Sequence, residues 1–286
     1  MTSATHLVVQ SPALSADAVE QIAAVALANG SFRLSTTAVR LTDVDTDAST
    51  RRDVHDWCAQ AGVDYAYVPA GQKLADFKVL AMDMDSTLIN IECIDEIADF
   101  VGKKAEVSAI TEAAMRGEIK DFSESLRRRV ALLAGTPSEA LDSVYQERLR
   151  LNPGAEKLVE QAHAAGLKVM LVSGGFTYFT DRLRERLQLD AAFANVLEID
   201  NGLLTGQVLG DIVDAYGKAL HLREFAQRCG AENHQIIAIG DGANDLQMLG
   251  LAGISVAYRA KPVVREQTRY ALSNSGLDGV LNWFEG

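Results

Sequence analysis

Apolar residues in this chain gather into short unbroken runs separated by amphipathic stretches, and that alternation predicts most of the architecture. Val79-Leu80-Ala81-Met82 is one such run and stops abruptly at Asp83, as a parallel strand buried on both faces would. The pattern recurs at Leu167 to Val172 and Ile236 to Ile239, with a shorter version at Ile254 to Ala257. Helical patterns flank each run. The clearest begins at Pro153, a residue suited to a first helical position, carries Ala155, Leu158, Val159 and Ala162 on one face, and stops at Gly166. Strand and helix in alternation predict an α/β fold with a Rossmann-like, doubly wound parallel sheet, whose ligands lie beyond the carboxyl ends of its strands.

Three departures from the alternation divide the chain. Between the first and second of these strands, Glu92 to Asn152 reads as helical without a strand pattern, far more than one crossover needs, which predicts an inserted helical cap over about residues 92–150. Asp200-Asn201-Gly202 between apolar stretches predicts a β-hairpin from Asn195 to Leu209. Ahead of the sheet, residues 1–74 read as a small α+β unit. It has a strand at His6 to Gln10, a helix capped at Ser15 with Val19, Ile22, Ala23 and Leu27 on its buried side, and a half-buried strand from Phe32 to Leu41. A polar stretch to Arg52, a helix near Val54 to Gln60 and a strand at Ala66 to Val68 complete it. It carries no catalytic constellation. Residues 75–286 then form the larger unit.

Composition narrows the class of partner. Of 286 residues, 48% are hydrophobic and 23% charged, with no apolar run long enough to span a bilayer and no signal-like leader pattern, so a cytoplasmic protein is expected. A net charge of -12 argues against nucleic acid and anionic membrane as partners and leaves a small anionic substrate, provided a metal and a few basic groups converge on it. The cysteines, Cys58, Cys93 and Cys229, are odd in number and widely spaced, which predicts reduced thiols. A homodimer is compatible with the sequence, which does not specify one.

The strand ends carry the chemistry: Asp83-Met-Asp85-Ser-Thr87, then Ser173-Gly-Gly, then Asp241-Gly-Ala-Asn244-Asp245. Singly, each has an ordinary structural reading as a helix cap or a turn. Together they place four carboxylates at one sheet edge, where mutual repulsion calls for a hard cation, and Mg2+ suits a site with few carboxylates and a phosphate. In the cap, Phe122, Leu126, Val130 and Leu133 form a narrow helical stripe that includes Arg129, whereas Arg127 and Arg128 point away. An arginine facing an apolar side needs an anion, from a substrate or from an ion pair within the cap.

These residues, with Lys218 and Gly240-Asp241-x-x-x-Asp245, resemble the four motifs of the haloacid dehalogenase superfamily over roughly residues 76 to 260. The resemblance implies that Asp83 attacks phosphorus to give an aspartyl-phosphate and that Asp85 is the general acid and base. It implies one Mg2+ held by Asp83, Asp85 through its backbone carbonyl, and Asp241, with Asp245 orienting bound water. It further implies that Ser173, the Gly174 N–H and Lys218 meet the phosphoryl group. The superfamily's dehalogenases lack an aspartate two residues after the nucleophile, so Asp85 points to phosphate esters. The longer strings Asp83-Met-Asp-Ser-Thr-Leu-Ile-Asn-x-Glu92, Ser125-Leu-x-x-Arg129-Val, Val172-Ser-Gly-Gly-Phe176 and Gly240-Asp-Gly-Ala-Asn-Asp-Leu246 are most similar to the phosphoserine phosphatase family. That resemblance implies Glu92 and Arg129 as grips for amino and carboxylate groups, Asn244 as a phosphate ligand, and the closing step of serine biosynthesis as the role. Glu92 lies off the apolar stripe of its own helix, so its periodicity alone allows a simple N-terminal helix charge. The N-terminal unit resembles the ferredoxin-like, ACT-like regulatory domains of some amino-acid enzymes. Two other readings are a phosphatase for a different small metabolite and a non-catalytic amino-acid sensor.

Overall fold

The computed structural model describes residues 4–115, 118–119 and 121–285. The N-terminal stretch folds as β1 (Thr5–Gln10), α1 (Ala16–Val25), β2 (Gly30–Arg33), β3 (Ala38–Thr42), α2 (Ala48–Ala61) and β4 (Asp64–Pro69). Ser15 starts α1 by accepting the Ala18 N–H on its Oγ at 3.1 Å. The strands form an antiparallel sheet in the order β2-β3-β1-β4. Alternation along β1 sends Leu7 and Val9 to the helices, where Ile22, Val54 and Cys58 close a small core, and sends Val8 into the main core of the protein.

Four details differ from the pattern reading. Leu27, expected on the buried side of α1, lies beyond the end of that helix at a positive φ and is exposed. The single strand expected from Phe32 to Leu41 is a hairpin, because Ser35 Oγ accepts the Thr37 N–H at 3.1 Å and turns the chain without glycine, asparagine or proline to signal it. The helix expected near Val54 already begins at Ala48, since its polar first turns lie at the surface and carry no apolar stripe. Pro153 stands outside its helix, which starts at Ala155 behind an N-cap at Gly154.

The rest of the chain builds the main sheet and its additions. β5 (Val79–Met82) is followed by α3 (Cys93–Phe100), α4 (Lys104–Met115), α5 (Phe122–Ala131) and α6 (Glu139–Ser143), and then by α7 (Ala155–Ala164), β6 (Lys168–Phe176) and α8 (Thr177–Leu187). β7 (Ala191–Asp200) and β8 (Leu203–Leu209) pair antiparallel through a tight turn with positive φ at Asn201 and Gly202. α9 (Ala215–Arg228), β9 (Ile236–Gly240), α10 (Leu246–Leu249), β10 (Ile254–Tyr258), α11 (Pro262–Arg265) and β11 (Tyr270–Leu272) complete the fold.

The seven strands run in the order β11-β10-β9-β5-β6-β7-β8, parallel except for the last pair. β5 is the first of them in sequence and lies between β9 and β6, so chain connections leave it in both directions. That reversal opens a crevice at the carboxyl ends of β5, β6 and β9. Leu80 and Met82 pack into one side of the sheet and Val79 and Ala81 into the other. The helices α3 to α6 stand over the crevice, and β8 approaches them through a bridge between Leu203 and Pro137.

The small sheet docks on the far edge of the large one. Buried Asp64, at the start of β4, accepts backbone N–H groups from Ser273, Asn274 and Ser275 at 2.7 to 3.2 Å. Arg40 reaches the carbonyls of Asn282 and Phe284 and the carboxylate of Glu285. Cys58, Cys93 and Cys229 are free thiols. Among the described residues no helix is long and apolar enough to cross a membrane.

Candidate active site

Asp83 leaves the sheet at its centre: its N–H donates to the Ile239 carbonyl at 3.0 Å, the last such link on that side of β5. The chain then makes a wide turn over Met84–Leu88 in which Ser86 adopts a positive φ of 57°. This turn carries Asp85 toward the first turn of α3, where the Cys93 N–H donates to its Oδ1 at 3.0 Å. It also lets Thr87, fully buried, donate from Oγ1 to Asp241 Oδ1 at 2.8 Å.

The neighbouring strand ends deliver the rest. The register of β6 against β7 breaks between Val172 and Phe176, which lifts Ser173 to Gly175 out of the ladder. Ser173 Oγ accepts the Gly175 N–H at 2.8 Å, so its own hydroxyl proton is free to meet an anion. Beyond β9, Asp245 turns back and accepts the N–H groups of Asp241 and Gly242 at 3.1 and 3.0 Å. Its other oxygen accepts from Lys218 Nζ at 2.7 Å, and Lys218 also donates to Asp83 Oδ1 at 2.5 Å.

Asp83, Asp85, Glu92, Arg129, Ser173, Gly174, Asp241 and Asn244 line one cavity of about 110 Å³, together with Ile94, Phe122, Leu126, Gly175 and Phe176. Lys218 and Asp245 stand behind its wall, only 1% and 0% exposed, and act on the cavity through Asp83 and the Asp241 loop.

Burial, reinforced by the charges of Asp245 and Asp241, raises the pKa of Asp83 well above the carboxylate range despite Lys218 beside it. Burial likewise raises Asp85, with the Cys93 N–H pulling the other way. Asp241 is pushed up to about 6 by burial, with the Thr87 hydroxyl opposing. Burial works to strip the proton from Lys218, but Asp245 and Asp83 outweigh it and keep the ammonium charged. Carboxylate oxygens of Asp83, Asp241 and Asp245 lie within 4.8 Å of one another, a hard-oxygen cluster facing one lysine, and this surplus of negative charge fits a divalent cation.

The cap supplies the other side. Glu92 is the N-cap of α3, and its Oε1 accepts from Ser86 Oγ at 2.7 Å. Its surface is open to the cavity, yet crowding by protein atoms and by Asp85 pushes its pKa up to about 7. Arg129 donates from Nε to the Ser125 carbonyl at 3.4 Å, and among the described residues the fork of its guanidinium makes no hydrogen bond. Burial draws its pKa down while Asp95, Glu92 and Asp85 oppose that, an arrangement that keeps a cation and an anion on the same wall.

Some contributors escaped the sequence reading. Phe122 was read only as part of an apolar stripe, yet it forms a cavity wall against Gly174. Thr87 belongs to the Asp83-x-Asp85-x-Thr87 motif, and the pattern alone assigns it no role. Asp95 faces Arg129 electrostatically and, among the described residues, has a buried Oδ1 without a hydrogen-bond partner, and no pattern in the sequence marks it. Gly175 is required by close approach: a Cβ there would lie 2.6 Å from Asp85 Oδ2 and 3.1 Å from Ser173 Oγ.

Comparison with known proteins gives the same picture. The haloacid dehalogenase-like hydrolase family matches residues 80–250, and a domain family of unknown function matches residues 7–54. A phosphoserine phosphatase of Polaromonas sp. is 60% identical over 213 residues, covering 73% of this chain and 90% of that protein. A probable phosphoserine phosphatase of Vibrio cholerae, solved without ligand, superposes with a TM-score of 0.82 at 38% identity over 98% of this chain and 86% of that one. A substrate-bound phosphoserine phosphatase superposes with a TM-score of 0.68 at 37% identity over 73% of this chain and 99% of that one.

The contact at Gly175 makes a specific expectation. Gly175→Ala should fold with little change in melting temperature but displace Asp85, lowering the catalytic rate on the order of 100-fold; steady-state kinetics alongside thermal melting read both quantities.

Proposed function

The chain belongs to the haloacid dehalogenase-like hydrolase family and, within it, to the phosphoserine phosphatases, and from that premise we propose how its residues divide the work. The reaction takes O-phospho-L-serine to L-serine and inorganic phosphate, the closing step of serine biosynthesis. The carrying observation is the single cavity lined by Asp83, Asp85 and Ser173 together with Glu92 and Arg129, one set suited to a phosphoryl group and the other to an amino-acid head group.

In this reading Arg129 takes the substrate carboxylate with its free fork and Glu92 takes the ammonium. The phosphoryl group meets the Ser173 hydroxyl, the Gly174 N–H and Asn244. Asp83 attacks phosphorus with the oxygen not held by Lys218, forming the aspartyl-phosphate, and the P–O bond to serine breaks. Asp85, with its raised pKa, delivers its proton to the leaving alkoxide. It then takes a proton from the water that attacks the aspartyl-phosphate, returning Asp83 and releasing phosphate. Lys218 offsets the negative charge that would otherwise hold the phosphate dianion away from Asp83.

Mg2+ is the cofactor proposed for the acidic cluster, held by Asp83, Asp241 and the Asp85 backbone carbonyl, with Asp245 keeping the Asp241 loop in place. When bound it masks phosphoryl charge. The proposed domain division is 1–74 for the N-terminal ACT-like unit and 75–286 for the phosphatase unit, with the cap at about 92–150. A cytoplasmic setting and a homodimer complete the proposal.

Phosphate release from phosphoserine, phosphothreonine and sugar phosphates, each with Mg2+ and with a chelator, tests the substrate. Phosphoserine should be turned over fastest and only with the metal, and Asp83→Asn should be silent; preferred turnover of a sugar phosphate would sink the assignment. A second expectation concerns pH. Below about 7 Glu92 becomes neutral and loses its hold on the ammonium, so KM for phosphoserine should rise as pH falls through that value. Glu92→Gln should show a high KM without that slope, which a pH series of initial rates measures.

A further inference from the structure

The peptides from Ser173 to Gly175 lie where β6 has lost its register with β7, so no strand ladder holds them. Something else must fix their orientation. Asn195, on β7 and 1% exposed, lies beside the break. Its Nδ2 donates to the Gly174 carbonyl at 2.8 Å and its Oδ1 accepts the Val213 N–H at 2.8 Å. These partners leave one orientation of the amide, because a carbonyl only accepts and an N–H only donates.

Val213 is one residue ahead of Asp214, the cap of α9, which accepts the Gly217 N–H on its side chain at 2.8 Å and the Lys218 N–H on its carbonyl at 2.9 Å. One buried amide thus ties the loop that carries Ser173 and Gly174 to the helix that carries Lys218. We infer that Asn195 is a positioning residue for phosphoryl transfer, setting the distance between the Ser173–Gly174 cradle and the Lys218–Asp83 pair so that one phosphoryl group meets both. It is absent from the cavity wall and acts only through those two segments. The inference rests on the phosphatase reading above.

Two substitutions separate its halves. Asn195→Asp keeps an acceptor for Val213 but sets an oxygen against the Gly174 carbonyl, so only the cradle side is disturbed. Asn195→Ala leaves both groups buried without partners. In both, kcat should fall on the order of 10- to 100-fold per folded site and inhibition by inorganic phosphate should weaken. Inhibition by L-serine, which reads the Glu92–Arg129 end, should stay unchanged. A purely structural residue would lower the melting temperature and the folded fraction while leaving kcat per folded site and phosphate affinity as they were, and that result overturns the inference.

Should both variants fail to fold, the unaltered protein gives the answer by nuclear magnetic resonance. Adding inorganic phosphate with Mg2+ should shift the Asn195 side-chain amide and Val213 N–H signals, and signals that stay put overturn the inference. Wild-type turnover of phosphoserine in the same assays tells the two failures apart: its absence removes the phosphatase reading, whereas wild-type turnover with an equally active Asn195→Asp removes only the role of Asn195.

Discussion

Lys218 carries its charge to a place that is 1% exposed, and the carboxylates of Asp83 at 2.5 Å and Asp245 at 2.7 Å are what permit it. Each of the three depends on the others. Without the ammonium two buried carboxylates would stand unpaired, a loss on the order of 3–5 kcal/mol. Without Asp245, Lys218 would lose one of its two partners and the Asp241–Gly242 loop its anchor, since the same side chain holds both N–H groups of that loop. Asp83, the cation behind it and the loop bearing Asp241 therefore form one unit, spanning the ends of β5 and β9 and the first turns of α9.

The rest of the site is arranged around that unit by contrast of environment. Asp83 is tied to a cation, whereas Asp85 accepts the Cys93 N–H and lies against Gly175, whose missing Cβ makes room for it. Two carboxylates two residues apart, both raised by burial, thus meet different partners, an ammonium for Asp83 and a backbone N–H for Asp85. The cap extends the same logic away from the sheet, with Glu92 tied to the loop after Asp83 through Ser86 and Arg129 held by α5. The two walls of the cavity are consequently linked through residues 83 to 92.

Much of this was legible in the sequence because buried parallel strands read as unbroken apolar runs, and the residues that end them fall at the crevice by topology alone. β5, β9 and β10 were visible for that reason, the hairpin was visible from its Asp200-Asn201-Gly202 turn, and Arg129 stood out by its position on an apolar stripe. Other features depend on atoms that pattern does not report. The β2–β3 turn rests on a serine hydroxyl, and β11 is too short to show a period. Lys218 reads as an ordinary surface charge until Asp83 and Asp245 are seen around it. Glu92 caps its helix and falls off the stripe, so only resemblance pointed to it. Asn195 has partners 21 and 18 residues away, which no local spacing reveals.

Central to the account is that the phosphoryl group passes through Asp83. Acid quench of the enzyme during turnover of phosphoserine labelled in its phosphate, followed by peptide mapping, tests this directly. The account predicts an acid-stable, hydroxylamine-labile label on the peptide containing Asp83. Label on any other residue, or steady turnover with no labelled protein under conditions that slow hydrolysis of an acyl phosphate, would contradict it.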